Sequence, residues 1–114
     1  MGAFVISKRF NGEFKFVFTS RKGKTIFTSK GYSSKEDCEV AIELVKNAVE
    51  SCTYVKFRAA GGKYFFRLVV DEMVMATSRK YTTELRLQKG INEIALYGSK
   101  AEVLDFSEND FIFL

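Results

Sequence analysis

Residues suited to chemistry are few in this sequence, and their spacing excludes most kinds of catalytic site. The chain has no histidine, so it lacks the commonest general base and the usual partner of a nucleophilic serine or cysteine. Its two cysteines, Cys38 and Cys52, are fourteen residues apart and form no CxxC motif. The common zinc and iron ligand sets are therefore missing. We expect no enzyme activity, no cofactor and no metal site, and we interpret both cysteines as free structural thiols.

The most acidic stretch of the sequence offers carboxylates, but all of them fall on one predicted helix. Glu36, Asp37, Glu39 and Glu43 lie in its first turns and on its outer face, where the helix dipole favours negative charge. A catalytic carboxylate pair needs convergent side chains, which the surface of a single helix does not supply. We interpret these residues as a solvated helix face.

Hydroxyl-bearing residues recur at two equivalent junctions between a strand and a helix. The pairs are Ser29 with Tyr32 and Ser78 with Tyr81. One interpretation is a pair of equivalent hydroxyl-lined pockets. The other is structural: each tyrosine buries its ring while the hydroxyl groups bond to turn backbone. The structural interpretation is favoured, because duplicated units keep what folding requires.

Basic residues are concentrated at the start of the chain, whose formal net charge is +4. Residues 1–35 contain eight lysines and arginines against Glu13 alone. Such an uneven distribution is one signature of an anionic partner. The candidate anion contacts are Lys8, Arg9, Lys15, Arg21, Lys22 and Lys24.

The sequence segments predicted to form the elements that position these residues occur twice, as an internal repeat. Residues 4–46 align with residues 54–95 with one gap, first at an offset of 50 and then of 49. The gap falls in a predicted turn, and turns tolerate length changes where strands do not. In each copy, alternating aromatic residues predict a half-buried antiparallel strand, and an apolar stripe at helical spacing predicts a helix. Ser33 is the predicted N-cap of the first helix.

The predicted fold class is therefore α+β, with two tandem β-β-β-α repeats. The first repeat covers about residues 3–50, the second about 53–97, and residues 98–114 form a C-terminal tail. We expect all 114 residues to form a single domain, which is long enough to bury a core of its own.

The order and duplication of several short motifs resemble the YegP-like proteins, small bacterial proteins made of one or two copies of a domain of unknown function. The first copy has Gly12-Glu13-Phe14-Lys15-Phe16, Tyr32-Ser33-Ser34-Lys35 and Ala41-Ile42, and the second has Gly62-Lys63-Tyr64-Phe65-Phe66, Tyr81-Thr82-Thr83 and Gly90-Ile91. The resemblance covers roughly residues 3–97. It implies that the two repeats meet about a pseudo-twofold axis, with an antiparallel sheet packed on two helices. It implies no activity.

The leading functional hypothesis is a non-catalytic protein-interaction or scaffolding module. An open antiparallel sheet leaves edge strands that must be covered, charged or paired, by an unknown protein or by a second copy of the chain. The apolar end of the sequence is a candidate association tail, with Phe111, Phe113 and Leu114 as its contacts.

The alternative hypothesis is weak nucleic-acid or anion binding through the basic N-terminal repeat. Its cations are interleaved with Phe10, Phe14, Phe16 and Phe18, and aromatic and basic residues on a sheet can hold single strands. No apolar run approaches the roughly 20 residues that a membrane span requires. We therefore expect no membrane partner and a cytoplasmic location.

Overall fold

A computed structural model describes residues 2–108 of the chain as one seven-stranded sheet with two α-helices. In chain order the elements are β1 (Ala3–Lys8), β2 (Phe14–Thr19), β3 (Thr25–Ser29), α1 (Lys35–Ala48), β4 (Thr53–Arg58), β5 (Tyr64–Val70), β6 (Met73–Ser78), α2 (Glu84–Tyr97) and β7 (Glu102–Asp105). Short 3₁₀ helices lie at Ala60–Gly62 and Gly98–Lys100. Neither α1 nor α2, the α-helices of the described residues, has the length and apolar character that crossing a membrane requires.

The strands lie in the order β4-β5-β6-β3-β2-β1-β7. Neighbouring strands are antiparallel from β4 across to β1. At the middle of the sheet β3 pairs with β6, with Thr28 opposite Thr77 and Ser29 opposite Ala76. This pairing joins the N-terminal and C-terminal halves of the chain through backbone hydrogen bonds.

The predicted fold class is wrong, because the sheet is mixed and not the antiparallel sheet of two tandem β-β-β-α repeats. β7 pairs in parallel with β1, with Ala3 opposite Glu102 and Ile6 opposite Asp105. This strand lies within the predicted C-terminal tail, residues 98–114. Without β7, β1 would present a row of unpaired N–H and C=O groups at the sheet edge, and the seventh strand satisfies them.

The core lies between one face of the sheet and the two helices. The apolar stripes predicted from helical spacing are the buried faces of those helices: Cys38, Ala41, Ile42 and Val45 in α1, and Leu87, Gly90, Ile91 and Ile94 in α2. Against them pack fully buried phenylalanines, such as Phe4 and Phe18, whose ring centroids are 5.0 Å apart in an edge-to-face arrangement. Burying one such ring contributes about 1.5–3 kcal/mol.

Each α-helix is capped by the second of two adjacent hydroxyl residues, Ser34 after Ser33 and Thr83 after Thr82. Each helix therefore begins one residue later than it would if the first of them were the cap. Ser34, and not Ser33, is the N-cap of α1, and its Oγ accepts a hydrogen bond from the backbone N–H of Asp37 at 3.1 Å. Thr83 caps α2 in the same way, with Arg86 as the donor at 3.1 Å. Both caps have extended backbone angles, which aim the side-chain oxygen at the third residue of the helix.

Candidate functional site

The candidate anion contacts do not converge on one surface. They divide between the β1–β2 end of the sheet, which takes Lys8, Arg9 and Lys15, and the flank of α2, which takes Arg21, Lys22 and Lys24. At the first of these surfaces Arg9 already lies 3.8 Å from the carboxylate of Glu13. The cations beside α2 belong to a more strongly basic surface.

Two adjoining cavities, of about 400 and 440 Å³, run along the flank of α2. They share Ser20, Lys89 and Glu93, so they form one groove, which we call the basic cleft. Among its described lining residues Glu93 is the one carboxylate. Its basic lining residues are Arg21, Lys22, Lys24, Arg79, Lys80, Arg86 and Lys89.

Two segments far apart in sequence, residues 21–24 and residues 79–89, supply these cations, and the central strand pairing brings them together. Because β3 lies beside β6, the start of β3 with Lys24 comes near the junction that follows β6. There the backbone N–H of Arg79 donates to the carbonyl of Ile26 at 2.9 Å. On α2, Arg86 and Lys89 are three residues apart and so lie on the same flank of the helix.

The charges of the basic cleft have little internal compensation. The cations of the salt bridges among residues 2–108 are Arg9 and Lys35, so the cleft cations form none there. Glu93 accepts a hydrogen bond from the backbone N–H of Arg21 at 3.4 Å. Like charges gathered in a concave surface raise the local positive potential and attract anions.

Tyr81 and Gly90 line the part of the cleft between β3 and α2. The Arg79 guanidinium lies over the Tyr81 ring, 5.5 Å from its centroid. Burial raises the pKa of the Tyr81 hydroxyl, while the nearby Arg79 lowers it and Glu93 raises it. The phenol therefore stays protonated at neutral pH and can donate a hydrogen bond to an anion.

The corresponding flank of α1 does not carry this charge. Three residues after the N-cap, α1 has Asp37 where α2 has Arg86, and six residues after the cap it has Val40 where α2 has Lys89. All four positions are exposed. Since both helices pack on the sheet, packing does not require the cations of α2. A comparison of the two helix sequences is the signal that could have identified these cations.

The two junction serines bond to backbone. Ser29 Oγ accepts a hydrogen bond from the N–H of Phe16 at 2.9 Å and donates to the carbonyl of Lys30 at 2.8 Å. Ser78 Oγ makes the equivalent pair of bonds. It accepts a hydrogen bond from the N–H of Phe66 in β5 and donates one to the carbonyl of Arg79. Both side chains are buried. Ser29 links β2 to the backbone just after β3, and Ser78 links β5 to the backbone just after β6.

The two junction tyrosines differ in their surroundings. The Tyr32 hydroxyl is buried with no hydrogen-bond partner among the described residues. Burial is the main cause of its raised pKa, and Cys38 adds to it. Tyr81 instead lines the basic cleft. The sequence predicted equivalent pockets or equivalent structural roles. Each ring has a cation over it, Lys30 over Tyr32 and Arg79 over Tyr81, but of the two tyrosines only Tyr81 lines the basic cleft.

The remaining predicted residues do not form a second charged site. Phe111, Phe113 and Leu114 lie outside the described residues, so the association tail stays a prediction. Cys38 and Cys52 are free thiols. Within residues 2–108, no three histidine, cysteine or acidic side chains are grouped closely enough to hold a metal ion.

Comparison with known proteins finds relatives over nearly the whole chain. Residues 11–53 match the family described as a domain of unknown function, DUF1508. The UPF0339 protein YegP of Escherichia coli K12 is 32% identical over 106 residues, which are 91% of this chain and 96% of that protein.

Two solved structures share the fold. The solution NMR structure of E. coli YegP, described as a protein of unknown function, has a TM-score of 0.84 and 31% identity, with 94% of each chain covered. That of a UPF0339 protein of Shewanella oneidensis has a TM-score of 0.86 and 28% identity, covering 96% of this chain and 94% of the other.

Proposed function

This chain belongs to the YegP family of UPF0339 proteins, as its motifs indicated, and because the names of these relatives state no activity, we propose a function from its own geometry. The protein is a non-catalytic binding protein whose basic cleft holds a phosphate-bearing ligand. The observation that supports this proposal is the lining of the cleft, in which seven basic side chains face one carboxylate among the described residues.

The chemistry of the lining suits phosphate. Arginine presents a planar set of donors that matches phosphate oxygens, and lysine adds a compact positive charge. The Arg79 guanidinium is held in place over Tyr81, so less of its side-chain freedom is lost when it binds. The Tyr81 hydroxyl supplies an uncharged donor beside these cations. A phosphate group in the cleft would therefore meet charged and neutral donors together.

Base stacking on the N-terminal phenylalanines does not contribute to this proposal. Phe16 and Phe18 are fully buried in the core, Phe14 is partly buried, and the exposed Phe10 lies at the β1–β2 end of the sheet. None of these rings lines the basic cleft. Binding by phosphate neutralisation alone is expected to depend steeply on salt and little on base sequence. A single-stranded nucleic acid is accordingly the natural probe.

The test is the affinity of a fluorescent single-stranded DNA of about ten nucleotides, followed by anisotropy. If about four phosphates are neutralised, raising the salt from about 50 to about 200 mM weakens binding by about fifty-fold. The double variant Arg86→Glu, Lys89→Glu is expected to lose at least about tenfold at low salt, because it replaces two attractions by two repulsions.

The matched control is Lys63→Glu, Lys100→Glu. It changes the net charge equally at two exposed positions outside the cleft, and we expect a loss below about threefold, which long-range attraction alone accounts for. Equal losses for the two double variants, or no binding at low salt, would refute the proposal. Competition by poly-glutamate as strong as that by unlabelled DNA would show that the cleft does not select phosphate.

We place this binding in the cytoplasm. The free thiols Cys38 and Cys52 support that location, because the cytosol keeps thiols reduced. The protein-interaction hypothesis rested on the edge strands of the sheet and on the association tail, and it stays a prediction.

A further inference from the structure

We propose that the face of the sheet turned away from the helices is an interface at which two copies of this chain pair. The face is defined by one row of residues that crosses all seven strands. Its members, in spatial order, are Leu104, Val5, Val17, Thr28, Thr77, Arg67 and Val55. We call this surface the open face.

The open face carries apolar side chains at positions where a solvated face is normally polar. An antiparallel sheet with one solvated side normally alternates apolar residues inward with polar residues outward. Here Val5, Val17 and Val55 stand on the outward side, and Val55 is 36% exposed. Beside the row, the Phe57 and Phe65 rings stack at 5.0 Å. No described helix or loop forms a second layer over these side chains.

The size of the open face is adequate for a pair of copies. Seven strands spaced about 4.8 Å apart span about 30 Å, and strands of this length add about 20 Å in the other direction. Each copy would therefore bury about 600 Å² of sheet, or about 1,200 Å² for the pair, which lies at the lower end of specific interfaces. Aligned packing of two sheets about 10 Å apart is a common arrangement.

The charges of the open face favour a second copy as its occupant. Arg67 lies on β5 near one edge, Lys15 lies on β2 opposite Ser7, and Glu102 lies on β7 at the other edge, opposite Ala3 on the same outward side. A twofold axis parallel to the strands brings the β4–β5 edge of one copy over the β1–β7 edge of the other. With the axis at the centre of the sheet, Arg67 of each copy comes over β1 of the second copy, beside the strand that carries its Glu102.

Other occupants fit the open face less well. For a nucleic acid, the row supplies Arg67 as its one cation, and the carboxylate of Glu102 stands on the same side of the sheet. The end of the described chain is on the other side of the sheet, where Glu108 bonds to Lys35 at the start of α1 at 3.3 Å. Neither a nucleic acid nor the end of the described chain therefore accounts for the apolar residues of the row.

The test is the mass of the full chain in solution, measured by sedimentation velocity at several concentrations up to a few hundred micromolar. The expected result is a species of twice the 13.0 kDa chain mass. Thr77→Glu, at an exposed position near the centre of the row, is expected to give a folded monomer, since it sets two like charges close together across the interface. Arg67→Glu is expected to weaken pairing, and Arg67→Glu with Glu102→Arg to restore it.

The matched control is Val40→Glu, an exposed valine on α1 away from the sheet, which is expected to leave the dimer intact. A monomeric wild-type chain at every concentration would overturn the proposal, as would a Thr77→Glu variant that folds and still pairs. The proposal would also be overturned if a chain lacking residues 109–114 paired while the full chain did not. That result would assign the open face to the chain's own C-terminal residues.

Discussion

Gly90 of α2 and Tyr81 of the β6–α2 junction fit together at the basic cleft, because the tyrosine hydroxyl fills the space in which a side chain at position 90 would begin. A Cβ atom at Gly90 would meet the Tyr81 Oη and would lie 3.0 Å from its Cζ. Glycine in the interior of a helix costs about 1 kcal/mol relative to alanine. Here that cost allows Tyr81 to lie against the helix with its hydroxyl beside the cations.

We expect Gly90→Ala to destabilise the protein although alanine is the better helix former. Overpacking of this kind costs about 1–3 kcal/mol, which outweighs the gain in helix propensity. The measurement is the free energy of unfolding in urea. In the double variant Gly90→Ala, Tyr81→Phe the loss should be smaller, since the closest atom is gone. Gly90→Ala as stable as the wild-type protein would show that Tyr81 can move aside at no cost.

The buried hydroxyls of Ser29 and Ser78 should contribute about equally to stability. Ser29→Ala leaves the N–H of Phe16 without its partner, and Ser78→Ala does the same to Phe66. Each change is expected to cost about 1–3 kcal/mol. Ser33→Ala, at an exposed position next to a junction, is the control and should change the unfolding free energy by less than about 0.5 kcal/mol. Losses as small as the control's at both serines would contradict this assignment.

The buried thiol of Cys38 predicts a loss of stability at alkaline pH. Burial, with smaller contributions from Glu39 and Asp105, raises its pKa to about 11, whereas a cysteine in an unfolded chain ionises near about 8.5. As the pH rises between these values the unfolded chain loses a proton that the folded chain keeps, so stability falls. Between about pH 8 and pH 10 the loss from this group is about 2 kcal/mol.

The check on Cys38 is urea unfolding at both pH values for the wild-type protein and for Cys38→Ala. The variant is expected to be less stable throughout, because a buried side chain is shortened, but to lose less stability between the two pH values. Equal pH dependence in both proteins would contradict the raised pKa. With a thiol-reactive dye at pH 8, Cys52, which is only half-buried, should react first.

Asp105 predicts a separate effect in acid. A hydrogen bond from the Ser107 hydroxyl is the largest cause of its lowered pKa, and Lys35, whose Nζ lies 3.0 Å away, adds to it. The stability that this carboxylate provides is therefore present above about pH 4, its ordinary pKa, and is lost as the pH falls through the lowered value.

Asp105→Asn should accordingly lower the melting temperature at pH 6 and have less effect at pH 2. Glu108→Gln is the matched control, because Glu108 also contacts Lys35 but is much more exposed, and it should change the melting temperature little at either pH. The same loss at both pH values for Asp105→Asn would show that the carboxylate charge is not what stabilises β7.

Local patterns predicted the parts of the fold that local physics decides. The apolar spacing in 35–48 and 84–97 identified the buried helix faces, since a helix must turn one stripe to the core. β7 has only four residues, and its parallel partner β1 lies about a hundred residues earlier. No local pattern specifies such a pairing, because it is stabilised by the edge that it covers.

The basic cleft escaped prediction for a similar reason. Lys24 was identified because it falls within the basic start of the sequence, but Arg79 and Arg86 belong to a second basic stretch, residues 79–89, which has four cations against Glu84. Only the pairing of β3 with β6 brings them beside Lys24. A count of charge along the chain registers the two basic stretches separately, and not the single surface that they form across the sheet.

The most direct test of the cleft as a phosphate-binding site is an NMR titration of the full chain with unlabelled single-stranded DNA, following the backbone amide signals. We expect the largest shifts at the β2–β3 turn, at Arg79 to Thr82 and along the Arg86–Glu93 flank of α2, with the Lys8–Lys15 surface little changed. Shifts centred on the β1–β2 end, or spread evenly over all basic residues, would contradict it.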